Sequence, residues 1–277
     1  MPEPVVAMVI AAVVGLCVGS FLNVVIHRLP KMLERGWRAQ CAELNGESHA
    51  AEPTYNLVVP RSACPACGQR INVWQNIPVV SWLVLHGRCA GCKAPISVRY
   101  PVVEVLGALV AACAVWRFGA TPAGLAACIL LWSLLALTVI DFDTQLLPDN
   151  ITLPLVWLGL IVNLGEVFTA LPNAVIGAVA GYLSLWTIYW LFKLIRGKEG
   201  MGYGDFKLLA ALGAWLGWQV LPVIVLLSSV VGAAIGITLI VFKGRDHSVP
   251  MAFGPYLAIA GALALFFGPN LVKLFFA

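Results

Sequence analysis

The chain has 277 residues, of which 61% are hydrophobic and only 11% charged, and its mean hydropathy is +0.92. Soluble domains carry about a quarter charged residues and under half apolar ones. This composition therefore excludes a water-soluble globular protein and places the chain in a bilayer. The net charge of +4 does not indicate nucleic-acid binding, because the basic residues fall between apolar stretches, as they do in membrane loops.

Eight apolar stretches are candidate transmembrane helices, each of which needs about 20 mostly apolar residues. The first stretch is longer than the roughly 7–15 apolar residues of a signal peptide and has no basic residue before it, so we interpret it as a retained transmembrane helix. The segment 206–219 is short and contains glycine, which favours a tilted or half-buried span. The eight stretches are residues 5–26, 101–118, 122–140, 151–169, 173–192, 206–219, 221–242 and 251–275.

The sequence predicts an all-α integral membrane protein with about eight transmembrane helices. Residues 1–26 form the first helix, residues 27–100 a loop domain, and residues 101–277 a seven-helix membrane domain. With eight alternating spans, 15 of the 17 basic residues fall on one side, which is therefore predicted to be the cytoplasm. These are Arg28, Lys31, Arg35, Arg38, Arg61, Arg70, Arg88, Lys93, Arg99, Lys193, Arg196, Lys198, Lys207, Lys243 and Arg245.

The beginning of the loop domain has apolar residues at helical spacing between charged ones. They are Leu33, Trp37, Cys41 and Leu44. Two interpretations remain open: a short helix lying on the membrane surface, or an ordinary amphipathic helix packed on the loop domain.

Two Cys-x-x-Cys pairs follow in the same loop, Cys64 with Cys67 and Cys89 with Cys92. Each pair presents two thiolates on one side of a tight turn, and two such turns complete a tetrahedral metal site. Structural disulfides do not persist in the reducing cytoplasm, so we expect a structural zinc ion in a zinc-ribbon-like domain. A redox dithiol and unliganded thiols are the alternatives. We interpret the remaining cysteines as small apolar residues: Cys17, Cys41, Cys113 and Cys128.

Carboxylates cluster at the predicted helix ends, where an ionisable residue at membrane depth is a functional candidate. Glu104 lies near the start of the second span, Asp141 and Asp143 end the third, and Asp205 begins the sixth. The chain crosses the membrane twice between Asp141 and Asp205, so both are expected on the same face. Two carboxyl groups within hydrogen-bonding distance share one proton. The ionised one then activates water, and the protonated one supports the oxyanion of an attacked peptide.

Three interpretations compete with an aspartyl dyad. Asp149 or Asn150 could cap the fourth helix and Asp205 the sixth, although capping does not explain the three glycines at 200, 202 and 204. Asp141 and Asp143 also form a Asp-x-Asp motif, which would hold Mg²⁺ in a membrane transferase. A proton-coupled transporter would place acidic residues in mid-span rather than at helix ends.

The motifs together resemble the type IV prepilin peptidases (prepilin leader peptidase/N-methyltransferases) of Gram-negative bacteria, among the GxGD-type membrane aspartyl proteases. The resemblance covers nearly the whole chain. It rests on the segment from Gly19 to Pro30, the two cysteine pairs, Arg99–Glu104, Asp141–Asp149 and the Gly202-x-Gly204-Asp205 signature.

This resemblance implies a bacterial inner-membrane enzyme whose active site faces the cytoplasm. It would cleave the short basic leader of type IV prepilins and of type II secretion pseudopilins after a glycine. It would then methylate the new N-terminal residue, usually Phe, with S-adenosylmethionine. The family's catalytic pair maps to Asp141 and Asp205. The supporting candidates are Asp143, Asp149, Gly202, Gly204 and Lys207, and no residue is assigned to S-adenosylmethionine.

Overall fold

The computed structural model describes residues 3–46, 53–197, 200–243 and 251–276. This part of the chain is helical and contains no strand, only two isolated antiparallel bridges. The all-α class is therefore confirmed. Its helices are α1 (Glu3–Leu44), α2 (Val80–Val84), α3 (Arg99–Phe118), α4 (Pro122–Thr144), α5 (Asp149–Val162), α6 (Leu171–Arg196), α7 (Tyr203–Leu216), α8 (Leu221–Lys243) and α9 (Gly254–Phe276).

A helix occupies each of the eight apolar stretches, but the helices differ in length. Within the described residues, six helices are long and apolar enough to cross a membrane: α1, α3, α4, α6, α8 and α9. The two others, α5 and α7, have 14 residues each. At 1.5 Å per residue such a helix is about 21 Å long, less than the roughly 30 Å of a hydrocarbon core. The structure thus has six full-length helices, and 151–169 is short as well as 206–219.

The first helix does not end at residue 26. It continues without a break through Pro30 to Leu44, so the first part of the predicted loop is a helical extension. The helical spacing of Leu33, Trp37, Cys41 and Leu44 is confirmed, but these residues belong to α1 rather than to a separate helix. The predicted basic residues Lys198 and Arg245 lie outside the described residues.

The chain divides into two compact units, Met1–Gly124 and Leu125–Ala277. In the first unit α1 packs against α3 through facing glycines. A Cβ atom on Gly15 would lie 2.5 Å from the carbonyl oxygen of Gly107, and one on Gly19 would lie 2.6 Å from Cα of Glu104. Small residues at such crossings let helix backbones approach closely, as is typical of membrane helices.

In the second unit α7 is the buried central helix, with eight consecutive buried residues from Leu208 to Trp215. Glycines again set its distance from a neighbour, because a Cβ atom on Gly213 would lie 2.1 Å from the carbonyl oxygen of Gly177 in α6. The fully buried Asn163 side chain donates to the carbonyls of Ala214 and Trp215 at the end of α7, both at 2.9 Å. These hydrogen bonds tie the end of α7 to the end of α5, the other short helix.

Candidate active site

Asp141 lies one turn before the end of α4 and is only 5% exposed. Its Oδ2 accepts a hydrogen bond from the backbone N–H of Gly254 at 2.9 Å. Gly254 is the first residue of α9, where the N–H groups have no partner within the helix. The partial positive charge of a helix N-terminus favours an ionised carboxylate at this place.

Asp205 lies in the first turn of α7 and is 6% exposed. Gly202 occupies the N-cap position, and its backbone N–H acts on the Asp205 carboxyl group. Asp205 is the third residue of α7, so the prediction that it occupies the N-cap position is wrong, and the N–H of the N-cap residue Gly202 acts on only one side of its carboxyl group. The other oxygen, Oδ1, is buried and has no hydrogen-bond partner among the described residues. A buried polar atom without a partner is costly, so Oδ1 is the atom of this site that remains open to a proton or a bound ligand.

Leu147 connects the surroundings of the two aspartates. It lies in the segment between α4 and α5. A Cβ atom on Gly204 would lie 2.6 Å from Cβ of Leu147, and one on Gly254 would lie 3.1 Å from its Cδ2. One leucine side chain thus contacts the residue before Asp205 and the residue that binds Asp141. Through Leu147, the structure places the surroundings of the two predicted catalytic residues next to each other.

Aromatic side chains cover the Asp205 end of α7. The rings of Tyr189, Tyr203 and Phe206 lie with centroids 5.2–5.7 Å apart. Tyr182 packs edge-on against Phe206 at 5.9 Å. Because Phe206 and Tyr189 are almost completely buried, this cluster keeps water from one side of the Asp205 end of α7.

The supporting candidates fall into different places. The Lys207 ammonium group lies 2.7 Å from both carboxylate oxygens of Asp149, which joins α7 to the start of α5. Gly202 and Gly204 both precede Asp205 in the chain, Gly202 as the N-cap residue of α7 and Gly204 in contact with Leu147. Asp143 is exposed. Glu104 belongs to the first unit, where its Oε2 accepts the backbone N–H of Val79 at 2.7 Å.

The alternative of a Mg²⁺ site at Asp141 and Asp143 is not favoured. Residues two positions apart point to different sides of a helix. Asp141 is buried and Asp143 is exposed, so the two carboxylates do not face one metal ion. Among the described residues, three or more potential metal ligands converge at the four cysteines of the two Cys-x-x-Cys pairs.

The four cysteines of the first unit do converge. Cys64 Sγ lies 3.8 Å from Cys92 Sγ, and Cys67 Sγ lies 4.0 Å from Cys89 Sγ. All four sulfur atoms lie within 4.8 Å of one another. Tetrahedral zinc with Zn–S bonds of about 2.3 Å separates its sulfur ligands by about 3.8 Å. The sulfur positions therefore fit a four-coordinate structural zinc ion with no free coordination position.

The two cysteine turns have the same backbone design. The N–H of Gly68 donates to the carbonyl of Cys64 at 2.9 Å, and that of Lys93 to the carbonyl of Cys89 at 3.0 Å. N–H groups of Cys92 and Gly91 lower the pKa of Cys89 to about 6. The Ala94 N–H also favours the Cys92 thiolate, but the neighbouring thiols, Cys67 first, raise the pKa of Cys92 to about 11. Backbone N–H groups of the second turn thus favour thiolates, and the repulsion between neighbouring thiolates is one that a bound cation would relieve.

Sequence reasoning missed two residues of the aspartyl site, Gly254 and Leu147. Gly254 acts through its backbone N–H, which no residue type encodes. The Gly254-Pro255 pair at the start of the last apolar stretch was the available signal, since it marks a helix N-terminus. Leu147 had no signal, because one leucine among many in an apolar chain is unremarkable.

Two models of known protein families match consecutive parts of the chain. The bacterial peptidase A24 N-terminal domain matches residues 13–118, and the type IV leader peptidase family matches residues 128–237. The first match contains the four cysteines and the second contains Asp141 and Asp205. Gly254 lies beyond both. No solved structure matches the chain.

Several curated relatives, each called prepilin leader peptidase/N-methyltransferase, are similar over nearly the full length. One from Pseudomonas aeruginosa is 54% identical and covers 98% of this chain and 94% of its own. One from Aeromonas hydrophila is 58% identical over 94% and 90%, and one from Burkholderia pseudomallei 55% over 93% and 84%. By this identity and coverage, the chain belongs to the type IV leader peptidase family.

Proposed function

We propose that this chain is the membrane aspartyl endopeptidase that removes the leader of type IV prepilins and type II secretion pseudopilins, and that it then N-methylates the new N-terminal residue. The names of its relatives supply both activities. The observation that carries the peptidase proposal is the pair of buried aspartates, one bound by a helix N-terminal N–H and the other with an unpartnered oxygen.

This pair is suited to peptide hydrolysis without a metal ion. An ionised carboxylate takes a proton from water, and the water oxygen attacks the peptide carbonyl carbon. A protonated carboxyl donates its hydrogen bond, and then its proton, to the carbonyl oxygen. When the tetrahedral intermediate collapses, the C–N bond breaks, the leaving amine receives the proton that the first carboxylate took from water, and a hydroxyl group of the intermediate returns its proton to the second carboxylate as the new carboxyl group forms. Both carboxyl groups lie at a helix N-terminus, so the helix charge does not distinguish them. The buried hydrogen bond from Gly254 favours Asp141 as the ionised member, and the unpartnered Oδ1 of Asp205 favours Asp205 as the protonated one.

The substrate proposal follows from the site's position on the fold. Asp141 and Asp205 lie at ends of apolar helices, so a peptide bond just outside a membrane helix is within their reach. A prepilin leader that ends in glycine immediately before an apolar helix has its scissile bond there. The excess of basic residues between positions 27 and 100 supports a cytoplasmic location of this segment in the bacterial inner membrane, and the two crossings predicted between it and Asp141 put the carboxylates on the same face.

Two bound groups belong to the proposal. Cys64, Cys67, Cys89 and Cys92 would hold a structural zinc ion, which orders the loop between α1 and α3. S-adenosylmethionine would be the methyl donor, as the relatives' methyltransferase name implies. Its binding residues are not assigned.

The deciding experiment incubates the purified, reconstituted protein with a synthetic prepilin and measures the released leader by mass spectrometry. Asp141→Asn and Asp205→Asn should each lower the cleavage rate at least about 10³-fold, since each removes one partner of a general acid–base pair. Both variants should still methylate a pilin peptide supplied without its leader, which shows that they are folded. Cleavage at the normal rate by either variant would refute the assignment of the dyad.

Orientation has its own test. Cys41 is exposed on the extension of α1 and should react with a membrane-impermeant maleimide in inverted vesicles but not in right-side-out ones. Mass spectrometry of the Cys41 peptide reads the result. Labelling in right-side-out vesicles but not in inverted ones would place the extension of α1 in the periplasm.

A further inference from the structure

We propose that Gly254 is a positioning residue for the peptidase reaction, whose backbone N–H fixes the Asp141 carboxylate and whose missing side chain leaves room for it. This inference rests on the proposed function of Asp141. Neither family match reaches residue 254, and the relatives' names assign nothing to it.

The Asp141 carboxyl group is held by a hydrogen bond from another helix. The Gly254 N–H to Asp141 Oδ2 bond is buried and joins residues 113 positions apart, at the start of α9 and near the end of α4. Among the described residues, the Gly254 N–H is the hydrogen-bond donor to the Asp141 carboxyl group. A carboxylate held at one oxygen has its second oxygen at a defined place, which is what a base that activates a single water molecule requires.

The space around Gly254 is too small for a side chain unless a neighbour moves. A Cβ atom there would lie 2.7 Å from Asp141 Oδ2, 3.2 Å from Asp141 Cγ and 3.1 Å from Leu147 Cδ2. Contacts under 3.0 Å require an atom to move. The Asp141 side chain has only two torsions and belongs to a packed helix, so a methyl group at 254 would displace the carboxylate and lengthen its hydrogen bond.

Gly254→Ala tests the hydrogen bond and the space at once, with Gly268→Ala on the same helix as the matched control. A Cβ atom on Gly268 would lie 3.1 Å from the tip of the Val220 side chain, away from the dyad. We expect Gly254→Ala to lower kcat for prepilin cleavage about 10²-fold, the cost of an approximately 1 Å displacement of a reacting group. KM should stay within about twofold, and Gly268→Ala should keep both constants within about threefold.

Two further measurements separate positioning from a general loss of structure. Gly254→Ala should methylate a pilin peptide without leader at the wild-type rate, whereas a misfolded enzyme loses both activities. The double variant Gly254→Ala/Leu147→Ala relieves the contact with Leu147 but not that with Asp141, so its kcat should stay low.

The outcomes are distinct from those that test the dyad. Wild-type kcat in Gly254→Ala would overturn the inference, even if Asp141→Asn is inactive. Full recovery in the double variant would also overturn it, because crowding at Leu147 would then be the cause. Equal loss of cleavage and methyl transfer would overturn it as well. If Asp141→Asn itself cleaves normally, the proposed function fails first.

Discussion

The ammonium group of Lys207 lies 2.7 Å from both oxygens of the Asp149 carboxylate. The two residues are 58 positions apart and connect α7, two residues after Asp205, with the first turn of α5. The Lys207 side chain is 25% exposed and that of Asp149 52%. An ion pair at this exposure contributes about 0.5–1 kcal/mol, so its main consequence is the alignment of the two short helices.

The first prediction concerns this pair. Lys207→Met should lower the cleavage rate about threefold to tenfold, because the start of α7 carries Asp205. Asp149→Asn should do the same, and the double variant should be no worse than either single one, as expected for two residues that act through one contact. Measured rates that multiply in the double variant would show that Lys207 and Asp149 act separately. The exchanged pair Lys207→Asp/Asp149→Lys should recover part of the rate.

A second prediction separates the aspartyl dyad from a metal-dependent transferase. Asp143 is exposed two residues after Asp141, so Asp143→Asn should cleave prepilin within about threefold of wild type. Addition of EDTA to the assay, at a concentration and time that leave the bound zinc in place, should not change the rate. Loss of cleavage in Asp143→Asn, together with recovery by added Mg²⁺, would favour the metal-dependent mechanism.

Much of this arrangement was accessible from sequence because it depends on spacing and on composition. Two Cys-x-x-Cys pairs determine a four-sulfur site regardless of how the rest of the chain folds. Apolar stretches gave the position of each long helix and the short length of α7, but not that α5 also stops after 14 residues. Their ends depend on tertiary contacts such as those of Asn163, whose Oδ1 accepts the N–H groups of Phe168 and Thr169. No periodicity in the sequence records such contacts.

The site was less accessible than the fold for a related reason. Asp141 and Asp205 stand out because carboxylates are rare in an apolar chain. Their partners do not stand out, since the Gly254 contribution is a backbone N–H and that of Leu147 is its volume. Residues that act by shape or by main-chain atoms become visible only when the helices are packed.

The third prediction concerns the metal. Wild-type protein should contain one zinc ion per chain, measured by mass spectrometry of the native protein or by elemental analysis. Cys64→Ser should contain much less, because it removes one of four ligands. Cys41→Ser should keep the metal, since Cys41 lies in α1 and does not belong to the cysteine cluster. Equal zinc content in Cys64→Ser and wild type would exclude Cys64 as a ligand.

Loss of zinc should have a local effect on stability. The part of residues 53–98 that lies outside α2 and the short turn Val73–Asn76 has little regular structure of its own, so its order depends on the cluster. We expect limited proteolysis to cut this segment faster in Cys64→Ser than in Cys41→Ser. Cleavage of both variants at the same rate would mean that the metal does not stabilise the loop.

The last prediction uses the two equivalent cysteine turns. Gly68 follows the first pair with φ 71°, and Lys93 follows the second pair with φ 61°. Both lie in the left-handed region, which costs a residue with a side chain about 1–2 kcal/mol. Lys93→Gly removes this strain, at the expense of a more flexible unfolded chain. We therefore expect a net stabilisation of the zinc-loaded turn of about 0.5–1 kcal/mol, observed as a two- to fivefold slower release of zinc to a chelator.

Lys93→Ala is the matched control, because it removes the same charge but keeps a Cβ atom at positive φ, and it should release zinc at the wild-type rate. Gly68→Ala should release zinc faster, because a residue with a side chain is strained at the positive φ of this position. No atom lies within 4 Å of the added Cβ, so a steric clash would not contribute to the effect. If Lys93→Ala slows the release as much as Lys93→Gly, the charge of Lys93 rather than its backbone conformation limits the stability of the site.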